Sequence, residues 1–353
     1  MPVSLKFNEA HLGDMVLAKV GNPIRDEPLL TSQTLCKFEE AEAELLTKCF
    51  LKRFRGLEQH RFEHHSDLAS NELFSYASAI FDDPATLLEQ GEAIARHLYA
   101  GSKHPNIKSG DLCVSLIKDL GVGSSGGFEA ASALCIIKSE SKEPFLQISE
   151  KDGDLRLTTE QGIYPEKIDK GCLIVNYDRA NGFAVYLFDK GGGAQFWSRD
   201  FVGAVPVNDE ESLTKHYSKL CVEFAEKGLE DTPQDERMNV ASDAISYLEE
   251  SEDFDLDDFK AKTMKSPERI EQFEVFKSEY EIENDRELED RFTVSKPEAN
   301  KARKRLRSRL KLDVGVDMKF ASGFISVSED FMERGDDEEK GMKYLKIWYH
   351  KEV

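Results

Sequence analysis

Apolar and polar positions follow three regimes along the chain. Within the first 30 residues, Met15-Val16-Leu17-Ala18-Lys19-Val20 is the best strand candidate, and Gly21-Asn22-Pro23 supplies the turn after it. From Phe38 the apolar residues recur at helical spacing (Leu45, Leu46, Cys49, Phe50), and Gly56 ends that helix. A second helix is predicted around Asn71–Phe81. A third starts with Asp83 as N-cap and Pro84 at the first helical position. It presents Leu87, Leu88, Ile94, Leu98 and Tyr99 on one face and stops at Gly101.

From about residue 110 the period shortens. Asp111–Leu120, Phe128–Ser139, Phe145–Ser149 and Leu155–Thr158 read as strands separated by turns. Cys172–Asp178 and Phe183–Asp189 read as a hairpin closed by Arg179-Ala180-Asn181-Gly182, where Asn-Gly provides positive φ. Gly191-Gly192-Gly193 then leads into Ala194-Gln195-Phe196-Trp197 as a continuation of this antiparallel meander. Beyond Pro206 helical spacing returns, with Leu213, Tyr217, Leu220, Cys221 and Phe224 on one stripe and Gly228 as stop. Thr232-Pro233 and Ser266-Pro267 mark two further helix starts. Strand-like text reappears at Gly323–Val327 and Met342–His350, around the acidic stretch Gly335–Lys340. The fold class expected is α+β: residues 1–205 with N-terminal helices and an antiparallel meander, and residues 206–353 as an acidic helical segment, a basic helix and C-terminal strands.

Composition narrows the functional classes. No apolar run approaches the roughly 18 residues that span a bilayer, and Met1–Leu12 lacks a signal-peptide apolar core, so a cytoplasmic location is expected. The six cysteines are widely spaced with no CxxC pair, which reads as free thiols rather than a zinc site. Net charge is −21, against indiscriminate adhesion of the whole molecule to nucleic acid. The charge is uneven: Asp209–Arg291 holds 27 acidic and 11 basic residues, a net of −16, leaving −5 for everything else.

Directly after this acidic stretch comes Lys301-Ala302-Arg303-Lys304-Arg305-Leu306-Arg307-Ser308-Arg309-Leu310-Lys311, seven cations in eleven residues. Ser295 and Glu298 stand in capping-box relation with Pro297 in the first turn, so the whole run is predicted as one helix. Ala299, Ala302, Leu306 and Leu310 form a narrow stripe by which it can dock. Lys301, Arg303, Lys304, Arg305, Arg307, Arg309 and Lys311 are the candidate DNA-binding residues, because guanidinium groups suit bidentate phosphate contact. Two readings stay open at this point: phosphate contact, or counter-charge to the acidic helices upstream. Lys48, Lys52, Arg53 and Arg55 form a second, smaller basic group on the back of the first helix.

No catalytic constellation emerges. His60, His64 and His65 have metal-like spacing but no HExxH or comparable acidic partner, and they read as a polar loop. Gly121-Val122-Gly123-Ser124-Ser125-Gly126-Gly127 lacks the Lys-Ser/Thr of a phosphate-binding loop and runs into a strand, so it reads as a flexible hairpin loop. Asp253, Asp255, Asp257 and Asp258 lack the glycine and distal glutamate of a calcium loop. No cofactor, metal or enzymatic activity is expected.

Taken in order, several short segments resemble the bacterial nucleoid-associated protein family of the YejK/NdpA type, and are similar to its branch common in Bacteroidetes. They include Lys19-Val20-Gly21-Asn22, Phe62–His64 with Ser66-Asp67-Leu68, and Ile80-Phe81-Asp82. His97-Leu98-Tyr99 and His104-Pro105-Asn106-Ile107-Lys108-Ser109-Gly110 continue the match. So do Ile137-Lys138-Ser139-Glu140, Asp169–Ile174, Gln195-Phe196-Trp197, Leu310–Asp313 and Glu333-Arg334-Gly335 to Tyr344. The resemblance implies chromosome association, a preference for double-stranded DNA, and no defined catalytic residues. It transfers no functional residue, so the basic run is a reading of this chain alone. Two features depart from the family: the glycine-rich segment 121–127, and an acidity that leaves room for a protein partner such as another nucleoid or DNA-processing protein. Homo-oligomerisation stays open.

Overall fold

The computed structural model describes residues 3–124, 127–151, 153–191, 196–284, 286–306, 308–311, 314–320 and 331–351. The chain divides into two compact units, residues 1–207 and 208–353.

The first unit contains, in chain order, β1 (Ser4–Lys6), β2 (His11–Val20), β3 (Leu29–Thr31), α1 (Glu40–Lys52), β4 (His60–Phe62), α2 (Glu72–Asp82) and α3 (Leu87–Gly101). Next come β5 (Gly110–Ser124), β6 (Gly127–Ser139), β7 (Glu143–Lys151), β8 (Asp154–Gly162), β9 (Lys170–Val175), β10 (Ala184–Asp189) and β11 (Ala204–Pro206). Antiparallel pairing builds one nine-stranded sheet in the order β11-β4-β10-β9-β6-β5-β2-β3, with β1 on the far end of β5. Strands β7 and β8 form a separate two-stranded ribbon.

Both faces of the sheet are covered. Val16, Val114, Leu134, Ile136 and Ile174 on one face pack with Leu73, Ile80, Ile94 and Leu98 of α2 and α3. On the other, Cys135, Ile137, Leu173 and Val175 pack with Phe50, Leu51 and Phe54 at the end of α1. An antiparallel strand with a wet face would alternate apolar and polar residues. β9 is instead buried at every position, which is why its text after the paired Lys170 is a continuous apolar run. Helix α3 approaches β2 closely at Gly91, where a Cβ would fall 2.9 Å from a Val16 methyl.

Local chemistry sets the helix starts. Asn71 Oδ1 accepts from Phe74 N at 2.9 Å to cap α2. Asp83 Oδ1 accepts from Ala85 N at 3.0 Å, but what it caps is a 3₁₀ turn, Pro84–Thr86, and α3 proper begins at Leu87.

Three expectations for this unit are corrected. The glycine-rich segment is largely strand: β5 runs through Ser124 and β6 resumes at Gly127. Gly123 serves close strand approach, since a Cβ there would lie 1.9 Å from the Gly127 carbonyl oxygen. His60 lies in a strand, not a polar loop, because β4 bridges β10 and β11 in the sheet. Phe196-Trp197 does not continue the meander: Phe196–Val202 is a π-helical turn, and the buried Trp197 donates its indole N–H to the Gly171 carbonyl at 3.1 Å.

The second unit comprises α4 (Glu210–Glu223), α5 (Gln234–Glu250), β12 (Asp253–Asp255), α6 (Leu256–Thr263), α7 (Pro267–Glu283), β13 (Arg291–Thr293) and α8 (Lys296–Arg305). Two hairpins follow, β14 (Ser308–Lys311) with β15 (Asp317–Phe320) and β16 (Met332–Asp337) with β17 (Met342–Ile347). The predicted α4 stripe faces the core, with Leu213, Tyr217, Leu220, Cys221 and Phe224 packed against α5, Phe254, Phe259 and Phe273. Tyr217 lies against the Phe254 ring at 4.2 Å between centroids. Of the two C-terminal strands expected, Met342–Ile347 pairs with β16; Gly323–Val327 lies outside the described residues.

The fold is thus α+β with a mainly antiparallel sheet. Among the described residues no helix is long and apolar enough to cross a membrane.

Candidate nucleic-acid interface

Ser295 and Pro297 start α8 where expected, but the capping box does not form. The Ser295 side chain makes no capping hydrogen bond, and its buried backbone N–H donates to Thr214 Oγ1 at 2.9 Å instead. The helix then ends sooner than the sequence predicts. Leu306 adopts extended backbone (φ −60°, ψ 107°), and Ser308–Lys311 pairs with Asp317–Phe320 as a strand. The basic run is therefore half helix and half hairpin. Arg309 and Lys311 sit on β14, opposite Lys319 and Asp317 in register. Arg307 lies outside the described residues.

On the helical half the cations divide by position. Ala299 is buried and Ala302 and Leu306 pack on the unit's core, so these three positions of the stripe dock, while Leu310 falls on β14. Docking carries two cations into structural roles. Lys296 Nζ donates to the carbonyls of Glu249 and Ser251, at 2.7 and 2.6 Å, where α5 ends and its carbonyls lack helical partners. Arg303 Nη1 donates to Ser242 Oγ at 3.1 Å, and its Nε meets Glu249 Oε2 at 3.4 Å. Lys301 pairs with Glu298 one turn earlier. Lys304 and Arg305 are exposed and have no ion-pair partner among the described residues. Counter-charge to the upstream helices thus accounts for Arg303; Lys301 pairs within its own helix, and Lys304 and Arg305 face solvent.

The second basic group gains members that sequence spacing did not reveal. Lys52 pairs with Glu166 at 3.0 Å, and Arg53 donates to the Glu166 carbonyl. Arg55 lies over the Phe7 ring, and Lys48 pairs with Glu44 at 2.6 Å. Lys167 and Lys190 join them from distant segments. Partial burial, and then the neighbouring charges of Arg53 and Lys167, lower the affinity of Lys190 for its proton. Glu166 and Glu143 offset part of this cluster.

Several motif residues prove to be buried scaffold. At one end of β6, β9 and β10, the fully buried Lys138 ammonium donates to Glu140 Oε1 and to the Lys108 carbonyl, both at 2.7 Å. Lys170 Nζ lies 2.5 Å from Asp189 Oδ1 and 3.8 Å from Glu140 Oε1. Burial lowers the pKa of Lys138, and the Glu140 carboxylate opposes that shift. Asp169 Oδ2 holds the Glu140 and Ser141 amides at 2.6 and 3.1 Å, fixing the loop that carries Glu140. A lysine at the end of a strand, two residues before a glutamate, hints at such a pair, but the contributions of β9 and β10 are readable only from the register.

Among the described residues no three His, Cys, Asp or Glu side chains converge as a metal site requires. His60 Nδ1 lies 3.2 Å from the Glu58 carbonyl oxygen, while His64 contacts Ser66 and lies against the tilted His65 ring, centroids 4.1 Å apart. Burial pushes the Cys135, Cys172 and Cys221 thiols well above their usual range, and Cys113 up to about 12, so these sulfurs stay protonated and unreactive.

A search of curated proteins returns no significant match. The family model described as nucleoid-associated protein YejK matches residues 19–340, which runs from β2 to the turn after β16. The order of short segments noted in the sequence spans the same stretch, and the chain belongs to the nucleoid-associated protein family of the YejK type.

Proposed function

We infer that this protein binds double-stranded DNA through the phosphate backbone, largely without reading base sequence, and has no catalytic role. The observation that carries this reading is the division within the basic run. Lys304 and Arg305 remain exposed and uncompensated although the chain around them is strongly acidic. The run continues through Arg307, Arg309 and Lys311. Cations kept free at the border of an acidic module suit phosphate better than they suit internal neutralisation. Base reading needs an element shaped to enter a groove, and α8, whose apolar side is buried, ends at Arg305.

Duplex binding should weaken with salt, with a log–log slope of about −0.9 for each phosphate neutralised. Replacing Arg305, Arg307 and Arg309 by Glu should abolish duplex retention at physiological salt and leave the fold intact. Arg303→Glu should instead lower the unfolding temperature, because it sets a carboxylate against Glu249. Unchanged binding by the triple variant in a salt-titrated assay would overturn this reading.

A second reading rests on α7. Its solvent side exposes Glu268, Glu271, Glu279 and Glu283 beside Val275 and Ile282, which are 57% and 73% exposed. Such an acidic, partly apolar face suits a basic DNA-processing protein, with DNA contact then indirect. Glu271→Lys with Glu279→Lys would remove such a partner without changing the protein's own affinity for duplex DNA.

A further inference from the structure

Strands β7 and β8 leave the central sheet after Ser139 and, among the described residues, pair only with each other. Their register sets Leu146 opposite Thr159, Ile148 opposite Leu157 and Glu150 opposite Leu155. Side chains alternate across a strand, so Pro144, Leu146, Ile148, Leu155 and Leu157 share one face with Glu150, Thr159 and Gln161. Gln147, Ser149, Arg156, Thr158 and Glu160 share the other, with Phe145 as its one large apolar residue. The ribbon is amphipathic, yet its apolar face is bare: Leu146 is 68% exposed, Ile148 69%, Leu155 71% and Leu157 64%. A lone two-stranded ribbon is marginal in water, and contiguous apolar patches of this size mark interaction sites.

The chemistry of the face selects its occupant. It carries one charged residue, Glu150, and no cation, so it offers nothing to a phosphate backbone. For the same reason it gives no purchase to a peptide recognised by charge. It does match a second copy of itself. The Ile148–Leu157 pair lies near the middle of the ribbon, with Leu146 toward one end and Leu155 toward the other. A two-fold axis through that pair, along the Leu146–Leu155 diagonal, sets these aliphatic side chains against the same ones of the second copy and leaves Glu150 and Thr159 at the rim, the self-complementary arrangement of an isologous dimer. Two such ribbons would stack as sheets do, about 10 Å apart. Five aliphatic side chains at about 100 Å² each give on the order of 1,000 Å² buried over both copies, the lower bound for a specific interface. Charge points the same way. A chain of net charge −21 repels its copies over most of its surface, and this nearly uncharged face is where two can meet without opposing like charges.

We propose that the β7–β8 ribbon is a homodimerisation arm whose apolar face packs on the same face of a second copy. This does not depend on DNA binding, and its test uses no DNA. Sedimentation velocity on the full chain should give twice the 40.0 kDa chain mass. Ile148→Asp with Leu157→Asp should give monomer with an unchanged far-UV circular dichroism spectrum. Gln147→Asp with Thr158→Asp, on the opposite face, should stay dimeric. Should the first pair fail to fold, Ile148→Cys carries the test: mild oxidation should cross-link two copies through residue 148, whereas Gln147→Cys should not. Monomeric wild-type protein, dimers that survive the Ile148/Leu157 change, equal cross-linking from both faces, or a monomer that captures a different protein through this face would each overturn the proposal.

Discussion

The central sheet and the β7–β8 ribbon are built from similar text, yet the molecule treats them in opposite ways. Ile136 in β6 and Ile148 in β7 both sit in antiparallel strands among aliphatic neighbours. Ile136 is fully buried, under α2 and α3, whereas Ile148 is 69% exposed. The difference comes from what lies above each strand and not from the strands themselves. Helices cover both faces of the sheet, and no element of the first unit's cores includes a ribbon residue. Strand propensity reports fit to a pleated surface; burial depends on which other segment arrives to cover it.

The polar residues show the same contrast. Within the sheet, the buried lysines are paired, Lys138 with Glu140 and Lys170 with Asp189. Glu140→Ala would leave the Lys138 ammonium buried without its carboxylate, an arrangement that costs about 3–5 kcal/mol. Chemical denaturation should show that loss, and a cost near zero would mean that water reaches Lys138. Aliphatic truncations should separate the two regions more directly. Ile136→Ala should destabilise by about 2–5 kcal/mol, as expected for a buried site. Leu157→Ser on the ribbon should change the unfolding free energy by no more than about 0.5 kcal/mol in dilute solution. Equal effects at the two positions would erase the distinction.

The smallest expected effect lies at the surface of the first unit. Arg179 donates to both Asp82 carboxylate oxygens, at 2.6 and 2.9 Å, and holds that carboxyl below its ordinary value of 3.8. A carboxyl whose folded pKa is depressed stabilises the fold above the unfolded pKa, and the contribution is lost as pH falls through the folded one. The stability gap between wild type and Asp82→Asn should therefore be widest near neutral pH and close as pH falls below 3.8. Acid titration of both proteins measures it, and a gap independent of pH would show that the pair is not ionic in origin.

Much of the candidate interface was legible in advance. Ala299, Ala302 and Leu306 were readable as a docking stripe, and they dock. Which cations docking would consume was not readable. Arg303 is taken by Glu249, 54 positions upstream in the numbering, because α5 and α8 pack side by side. Nor did helical spacing reveal the end of α8. Residues 306–311 keep helix-compatible text, but pairing with Asp317–Phe320 offers their backbone a ladder, and tertiary pairing overrides local propensity. Lys167 and Lys190 reach the α1 basic group through chain reversals that no local pattern encodes.

Residue pattern alone determined the α+β class, the positions of most helix starts and the strand content of residues 110–190. Those depend on side-chain chemistry within a few residues: a capping Asn71, an Asp83 before Pro84, a Gly182 at positive φ in the turn before β10. Only the tertiary structure decided which face each strand buries. In β5, Leu112, Val114 and Leu116 face α2 and α3. After a bulge between Ile117 and Leu120, where Asp119 takes φ +54°, Leu120 and Val122 join Ile117 on the opposite face. One extra residue shifts the phase of a period-two pattern. That shift is settled by pairing with β6, a contact between segments, and it cannot be read from β5 alone.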